Sequence, residues 1–91
     1  MEPTRRTVLI VNDLGIHLRA AGALVQLAGT FHADIYIEKN AMKVDGKSIM
    51  SVLSLAASKG SEIVISAEGE DAPQAVSAIC DLIQRGFGHQ A

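Results

Sequence analysis

The stretch Gly15-Ile16-His17-Leu18-Arg19-Ala20-Ala21 concentrates the reactive chemistry of this chain. A β-branched run, Thr7-Val8-Leu9-Ile10-Val11, leads into the turn-forming Asn12-Asp13-Leu14-Gly15, and helical periodicity starts at Leu18. His17 therefore stands where a helix begins. Unpaired backbone N–H groups and partial positive charge collect at such a point, which is a ready site for a phosphate dianion. The same positive end disfavours imidazolium, so the ring is expected to be neutral and nucleophilic near pH 7. Arg19, two residues on, offers a planar fork of donors to phosphoryl oxygens. Nucleophile, amide donors and counter-charge thus fall within three residues, with no metal required. The plain alternative is a histidine that only caps a helix, beside a solvated arginine.

The elements that must position these residues follow from spacing. From Leu18 onward, Ala20 or Ala21, Leu24, Leu27, Ala28 and Phe31 recur at three- and four-residue intervals, with Gly29 near the helix end. Asp34 to Lys39 alternates, Ile35 and Ile37 on one face, Tyr36 and Glu38 on the other. Asn40 turns the chain into a shorter strand through Met42 and Val44, so a hairpin is expected. Gly46 breaks it, and Ser48 caps a short helix running towards Ala57. Ile63, Ile65 and Ala67 share a face of a further strand from Glu62 to Ala67. Asp71 is expected to cap the last helix, with Pro73 in its first turn and Val76, Ile79, Cys80 and Ile83 as its apolar stripe. The order β-α-β-β-α-β-α predicts an α+β open-faced sandwich: a four-stranded, mainly antiparallel sheet with three helices on one face.

The short helix after Ser48 carries a surplus of apolar surface. Six of the eight residues from Ile49 to Ala56 are apolar, with Ser51 and Ser54 in the gap. They cover an arc of roughly 220°, about twice the stripe needed to pack on one sheet. Ile49, Met50 and Leu53 are expected to form the exposed side, a docking patch beside His17. Methionine there suits a surface that must fit several partners.

Composition removes several function classes. The 91 residues suffice for one domain, 1–91, and 48% of them are hydrophobic, with only 3% aromatic. Ile, Val, Leu, Met and Ala must therefore build the core. A net charge of −2 without a dense basic tract argues against nucleic-acid binding, and Tyr36 alone makes no base-stacking platform. No run approaches the ~20 apolar residues that span a bilayer, and no signal-like apolar segment follows Arg5-Arg6; a cytoplasmic protein is expected. Cys80 reads as a buried, inert thiol. His17, His32, His89 and Cys80 lack metal-ligand spacing, His32 being expected at the surface and His89 in a loose tail. Gly46-Lys47-Ser48 echoes the end of a phosphate-binding P-loop, but Ala41 occupies the first glycine position and Met42 to Asp45 reads as strand.

Two motifs resemble the HPr family, the histidine-containing phosphocarriers of the bacterial phosphoenolpyruvate-dependent phosphotransferase system. The family pattern G-[LIM]-H-A-R-P-A meets Gly15-Ile16-His17-Leu18-Arg19-Ala20-Ala21, and K-S-I-M-[GS]-V meets Lys47-Ser48-Ile49-Met50-Ser51-Val52. Length, element order and the Lys59-Gly60-Ser61-Glu62-Ile63 lead-in to the last strand also match, so the likeness runs from Arg5 to Phe87. It implies that enzyme I phosphorylates His17 on Nδ1, that Arg19 steadies the group, and that an enzyme IIA-type protein receives it in sugar uptake. The chain would be a monomeric carrier without a cofactor rather than a stand-alone enzyme.

The resemblance further implies that Ser48 matches the serine modified by HPr kinase/phosphorylase, and that Leu18 and Ala20 join the docking surface. Two departures stand out: Ala20 replaces the usual proline, and Leu18 the usual small residue. Asn12-Asp13-Leu14-Gly15 and Arg85-Gly86-Phe87 are closer to the nitrogen-related branch of such carriers, whereas Lys47-Ser48-Ile49 is closer to the sugar branch. A regulatory binding module whose His17 is seldom phosphorylated is a third reading.

Overall fold

Alternation of large aliphatic residues decides the sheet, and a computed structural model describing residues 3–88 shows where each strand falls. Strands β1 (Thr4–Leu9), β2 (Asp34–Lys39), β3 (Met42–Asp45) and β4 (Glu62–Glu68) alternate with helices α1 (Leu18–Ala28), α2 (Ile49–Ser54) and α3 (Ala72–Gln84). One 3₁₀ turn, Gly86–Gly88, follows. The sheet order is β1-β4-β2-β3, and every neighbouring pair is antiparallel. Val8, Ile35, Ile37, Ile63, Ile65 and Ala67 point to one face and are buried there. Leu24 of α1, Val52 of α2, and Val76, Ile79 and Ile83 of α3 complete the core. The other face stays open, where Lys43 lies over the Tyr36 ring at 4.8 Å.

The expected fold class is the one observed, and the sheet is antiparallel throughout. β1 begins earlier than the Thr7–Val11 run suggested, because antiparallel pairing with β4 extends back to Thr4 opposite Ala67. Asn40 and Ala41 both take positive φ, 51° and 68°, the left-handed pair that a tight hairpin turn demands.

Helix α2 stops at Ser54, short of Ala57. Leu55 is its C-cap, and Ala56 turns left-handed with φ 49°. The Lys39 ammonium then donates to the carbonyls of Leu55 and Ala56 at 3.2 and 3.1 Å, satisfying acceptors that the ended helix leaves open. Alanine is strained at such a φ and glycine is not. Ala56→Gly is expected to stabilise the fold by about 1 kcal/mol, raising Tm by several degrees in a thermal melt. A lower Tm would show that Ala56 relaxes elsewhere.

Asp71 does not cap α3 as expected. It occupies the N-cap position but makes no side-chain capping bond. Its carboxylate accepts instead from the backbone N–H of His32 at 2.9 Å and of Ala33 at 2.8 Å. It thereby ties the start of α3 to the lead-in of β2. The His32 amide, helped by that of Ala33, holds the Asp71 carboxyl below the usual aspartate range. A carboxylate depressed on folding contributes stability above its unfolded pKa and loses it as pH falls through the folded one. Asp71→Asn is therefore expected to lower Tm at pH 7, with the gap to wild type closing below about pH 4. A gap that does not change with pH would mean the anion is not what matters.

The His17 site

Gly15 lets the chain turn from the end of the β1 segment into α1. Its φ is +63°, and a side chain there would run into the backbone of Ala57 and Ser58. That approach is held by the Ile16 N–H donating to the Ala57 carbonyl at 2.9 Å. The loop is pinned from within as well. The Gly15 N–H donates to the Asn12 carbonyl at 3.1 Å, and the Gly15 carbonyl accepts both Asn12 Nδ2 at 2.8 Å and the His17 N–H at 3.0 Å.

His17 is the N-cap of α1, with extended backbone at φ −83° and ψ −178°. Its carbonyl accepts the Ala21 N–H at 2.8 Å, the first turn of the helix. Its Nδ1 accepts the backbone N–H of Arg19 at 3.1 Å and of Ala20 at 3.3 Å. A nitrogen accepting two amide hydrogens carries none of its own, so the neutral ring places its proton on Nε2. The Nε2 edge is buried and the ring as a whole is half-buried. The first turn of α1 holds no acidic residue, which leaves the positive helix end uncompensated. The Nδ1 lone pair is engaged by these two amides. Once an approaching phosphoryl group draws the amide hydrogens to its own oxygens, the freed pair can attack the phosphorus. Capping and nucleophile are thus one geometry, not rival readings.

Arg19 is exposed and forms no ion pair among the described residues, so its guanidinium is available two positions from the ring. Leu18 is exposed beside it, at 67%. Ala20 corrects the expectation of a docking residue: it is fully buried. It lies on the inward stripe with Ala21, Leu24 and Ala28, so its side chain can touch no partner.

Ser48 caps α2, its Oγ accepting the Ser51 N–H over a long 3.4 Å. Met50 is 72% exposed and Ile49 is at 36%. Leu53 is half-buried and packs on the core, so only part of the expected three-residue patch faces outward. A Cβ on Gly22 of α1 would come within 4.0 Å of Ile49 Cδ1. That is an ordinary van der Waals distance, so α2 packs beside the helix that carries the histidine without requiring glycine at this position.

Two residues were missed from sequence. Leu14 is 66% exposed in the turn three positions before His17. The signal was available, since an apolar residue inside a four-residue turn has no element to bury it. Asn12 is buried instead of exposed with the turn; its Oδ1 lacks a hydrogen-bond partner, which costs about 1–3 kcal/mol. Cys80 is buried, and burial foremost pushes its thiol pKa up, so it is a poor nucleophile. His32 is exposed, and His89 lies outside the described residues. Among the described residues no group of three or more His, Cys, Asp or Glu could hold a metal, and no helix is long and apolar enough to cross a membrane.

Comparison with known proteins gives one answer. The family described as "PTS HPr component phosphorylation site" matches residues 4–85. The phosphocarrier protein HPr of Cupriavidus necator is 42% identical over 84 residues, covering 92% of this chain and 94% of that protein. The HPr of Neisseria meningitidis serogroup A is 39% identical over the same shares. The crystal structure of an HPr from Thermoanaerobacter tengcongensis superposes with a TM-score of 0.92 at 41% identity, covering 97% of this chain and 99% of that one. The capped histidine, the open-faced sandwich that presents it and these likenesses agree: this chain belongs to the HPr family, the phosphocarriers of the phosphotransferase system.

Proposed function

We propose that residues 1–91 act as one cytoplasmic, monomeric phosphocarrier domain, phosphorylated on His17 Nδ1 by enzyme I and dephosphorylated by enzyme IIA-type acceptors in sugar uptake. The observation that carries this reading is the lone pair of Nδ1 held against the Arg19 and Ala20 amides. The pair attacks phosphorus in the phosphohistidine of the donor. A new N–P bond forms, the donor's P–N bond breaks, and the donor imidazole leaves with its electron pair. The proton on Nε2 stays in place throughout. Once Nδ1 is bonded to phosphorus, the two amides turn from the ring to the phosphoryl oxygens. The Arg19 and Ala20 amides that bond to Nδ1 are no deep cage of donors, so return transfer to an acceptor histidine remains easy. Leu18, Ile49 and Met50, with Leu14, supply the exposed apolar contact on which partners dock.

The test uses labelled phosphoenolpyruvate and enzyme I. Acid-labile label on His17 that is discharged by adding an enzyme IIA domain is the expected result. A chain that takes no label, with enzyme I shown to be charged, would overturn it. Arg19→Ala is expected to slow transfer in both directions by roughly 10- to 100-fold with almost unchanged Tm. An equal rate would remove Arg19 from the site.

Ser48 carries a second, regulatory proposal. A phosphate on its Oγ would sit at the N-terminus of α2, next to Ile49 and Met50, adding about −2 charge to an apolar docking face. Incubation with HPr kinase/phosphorylase and ATP tests this. Label stable to acid on Ser48, together with a raised KM of enzyme I for the carrier, is expected. Absence of label would leave Ser48 as a helix cap only, and label with an unchanged KM would remove its effect on docking.

A further inference from the structure

Asn12 is a polar side chain in a place where an apolar one would pack as well. It is 7% exposed, its Nδ2 donates to the Gly15 carbonyl at 2.8 Å, and its Oδ1 is buried with no acceptor bond made. A leucine of similar size would fill the same space without orphaning an oxygen. Burial alone therefore does not account for an amide here. What the amide supplies is a donor, and the donor is aimed close to the nucleophile.

The Gly15 carbonyl accepts from Asn12 Nδ2 and from the His17 backbone N–H, at 2.8 and 3.0 Å. Both of its lone pairs are occupied, so the peptide plane between Gly15 and Ile16 is held against rotation. That plane fixes the direction in which the chain enters His17. The extended backbone of His17 then directs Nδ1 onto the Arg19 and Ala20 amides. The turn itself does not depend on the side chain. The Gly15 N–H reaches the Asn12 backbone carbonyl, and the Ile16 N–H reaches Ala57, whatever residue stands at position 12. Removing the amide thus leaves the turn but frees one side of the carbonyl that aims the histidine.

We propose that Asn12 is a positioning residue for phosphoryl transfer, its amide clamping the Gly15 carbonyl so that His17 Nδ1 is held as the reactive, unprotonated nitrogen. This rests on reading His17 Nδ1 as the phosphoryl acceptor. Two measurements keep the two ideas apart. The ¹⁵N shift of Nδ1 reports tautomer and hydrogen bonding without any phosphorylation. Labelling with phosphoramidate reports reactivity: the Nδ1–P bond forms as the donor's P–N bond breaks and ammonia leaves. No partner protein enters either one.

Asn12→Leu is expected to fold with a Tm near that of wild type. Its Nδ1 shift should move towards a mixture of tautomers, and Nδ1 labelling should slow roughly 10- to 100-fold. Asn12→Asp keeps the shape but replaces the donor with an acceptor, and is expected to lose labelling to the same degree. An unchanged Nδ1 shift and labelling rate in both variants would overturn the proposal. So would the unfolding of both, since Asn12 would then belong to the fold and not to the site. A wild-type chain that accepts no phosphoryl group would sink the carrier reading, while the Nδ1 shifts would still decide the role of Asn12.

Discussion

A His17→Ala chain is expected to accept no phosphoryl group, while its circular dichroism and sheet packing stay those of wild type. The reaction needs a lone pair on an unprotonated nitrogen at the start of α1, and among the described residues no other side chain can supply one. His32 is exposed near the opposite end of α1, in the connection to β2, and Cys80 is buried within α3. The loss should therefore be total within detection. Stability should fall modestly, because His17 is half-buried and what disappears is a helix cap. Caps of this kind contribute about 1 kcal/mol, or a Tm drop of roughly 4–8 °C in a domain of this size. Cap and nucleophile can be separated. His17→Asn offers the Arg19 and Ala20 amides a side-chain oxygen, so it should recover most of the lost Tm and none of the labelling. Residual acid-labile label on either variant would place the chemistry on another residue.

That prediction draws on the part of the molecule most legible in its sequence. A histidine between a turn glycine and a helical stripe has few places to stand, and the helix start at Leu18 was set by the spacing of Ala21, Leu24 and Ala28. The β2–β3 hairpin was equally plain, since Ile35 and Ile37 could share a buried face only as a strand. What sequence concealed was competition for hydrogen bonds across distance. Asp71 looked like a cap because its neighbours are helical, yet its oxygens are taken by amides 38 and 39 residues away. Helix α2 ends early where Ala56 turns left-handed, and Lys39, from another element, takes up the Leu55 and Ala56 carbonyls just past its end. Leu53 was placed at the surface by an apolar arc counted over a short segment, where one position of error is about 100° of rotation. Ala20 was placed there by the family resemblance, against a periodicity that already offered it to the buried stripe. Leu14 needed no structure to be noticed, only the question of what could cover it.

The site's design also limits how tightly it can hold what it receives. Two backbone amides and one exposed guanidinium form an incomplete ring of donors, and the exposed Leu18 and Met50 are apolar. On the proposed transfer, a partner covering Leu18 and Met50 would remove water from the phosphoryl group and strengthen those few donors. Between partners the group would face solvent, and selectivity would then sit in the complexes and not in the carrier.

The second large effect should come from the smallest residue at the site. Gly15→Ala places a methyl group at a φ of +63°, which costs about 1–2 kcal/mol for an L-residue before any contact is made. The same methyl would lie against the Ala57 carbonyl and the Ser58 Cα. These are backbone atoms, so no side chain can swing aside to make room. The loop or the segment after α2 must move, at a further cost of about 1–3 kcal/mol. A total near 3 kcal/mol lowers Tm by roughly 12–24 °C. Movement there also breaks the Ile16 to Ala57 bond that seats the histidine loop, so phosphoryl acceptance should fall more than stability alone explains, even at temperatures where the variant is fully folded. Ala57→Gly, which leaves the offending carbonyl in place, should not rescue it. A Gly15→Ala chain that melts like wild type and labels at the same rate would mean that the close approach of these two backbones does not hold His17 in place.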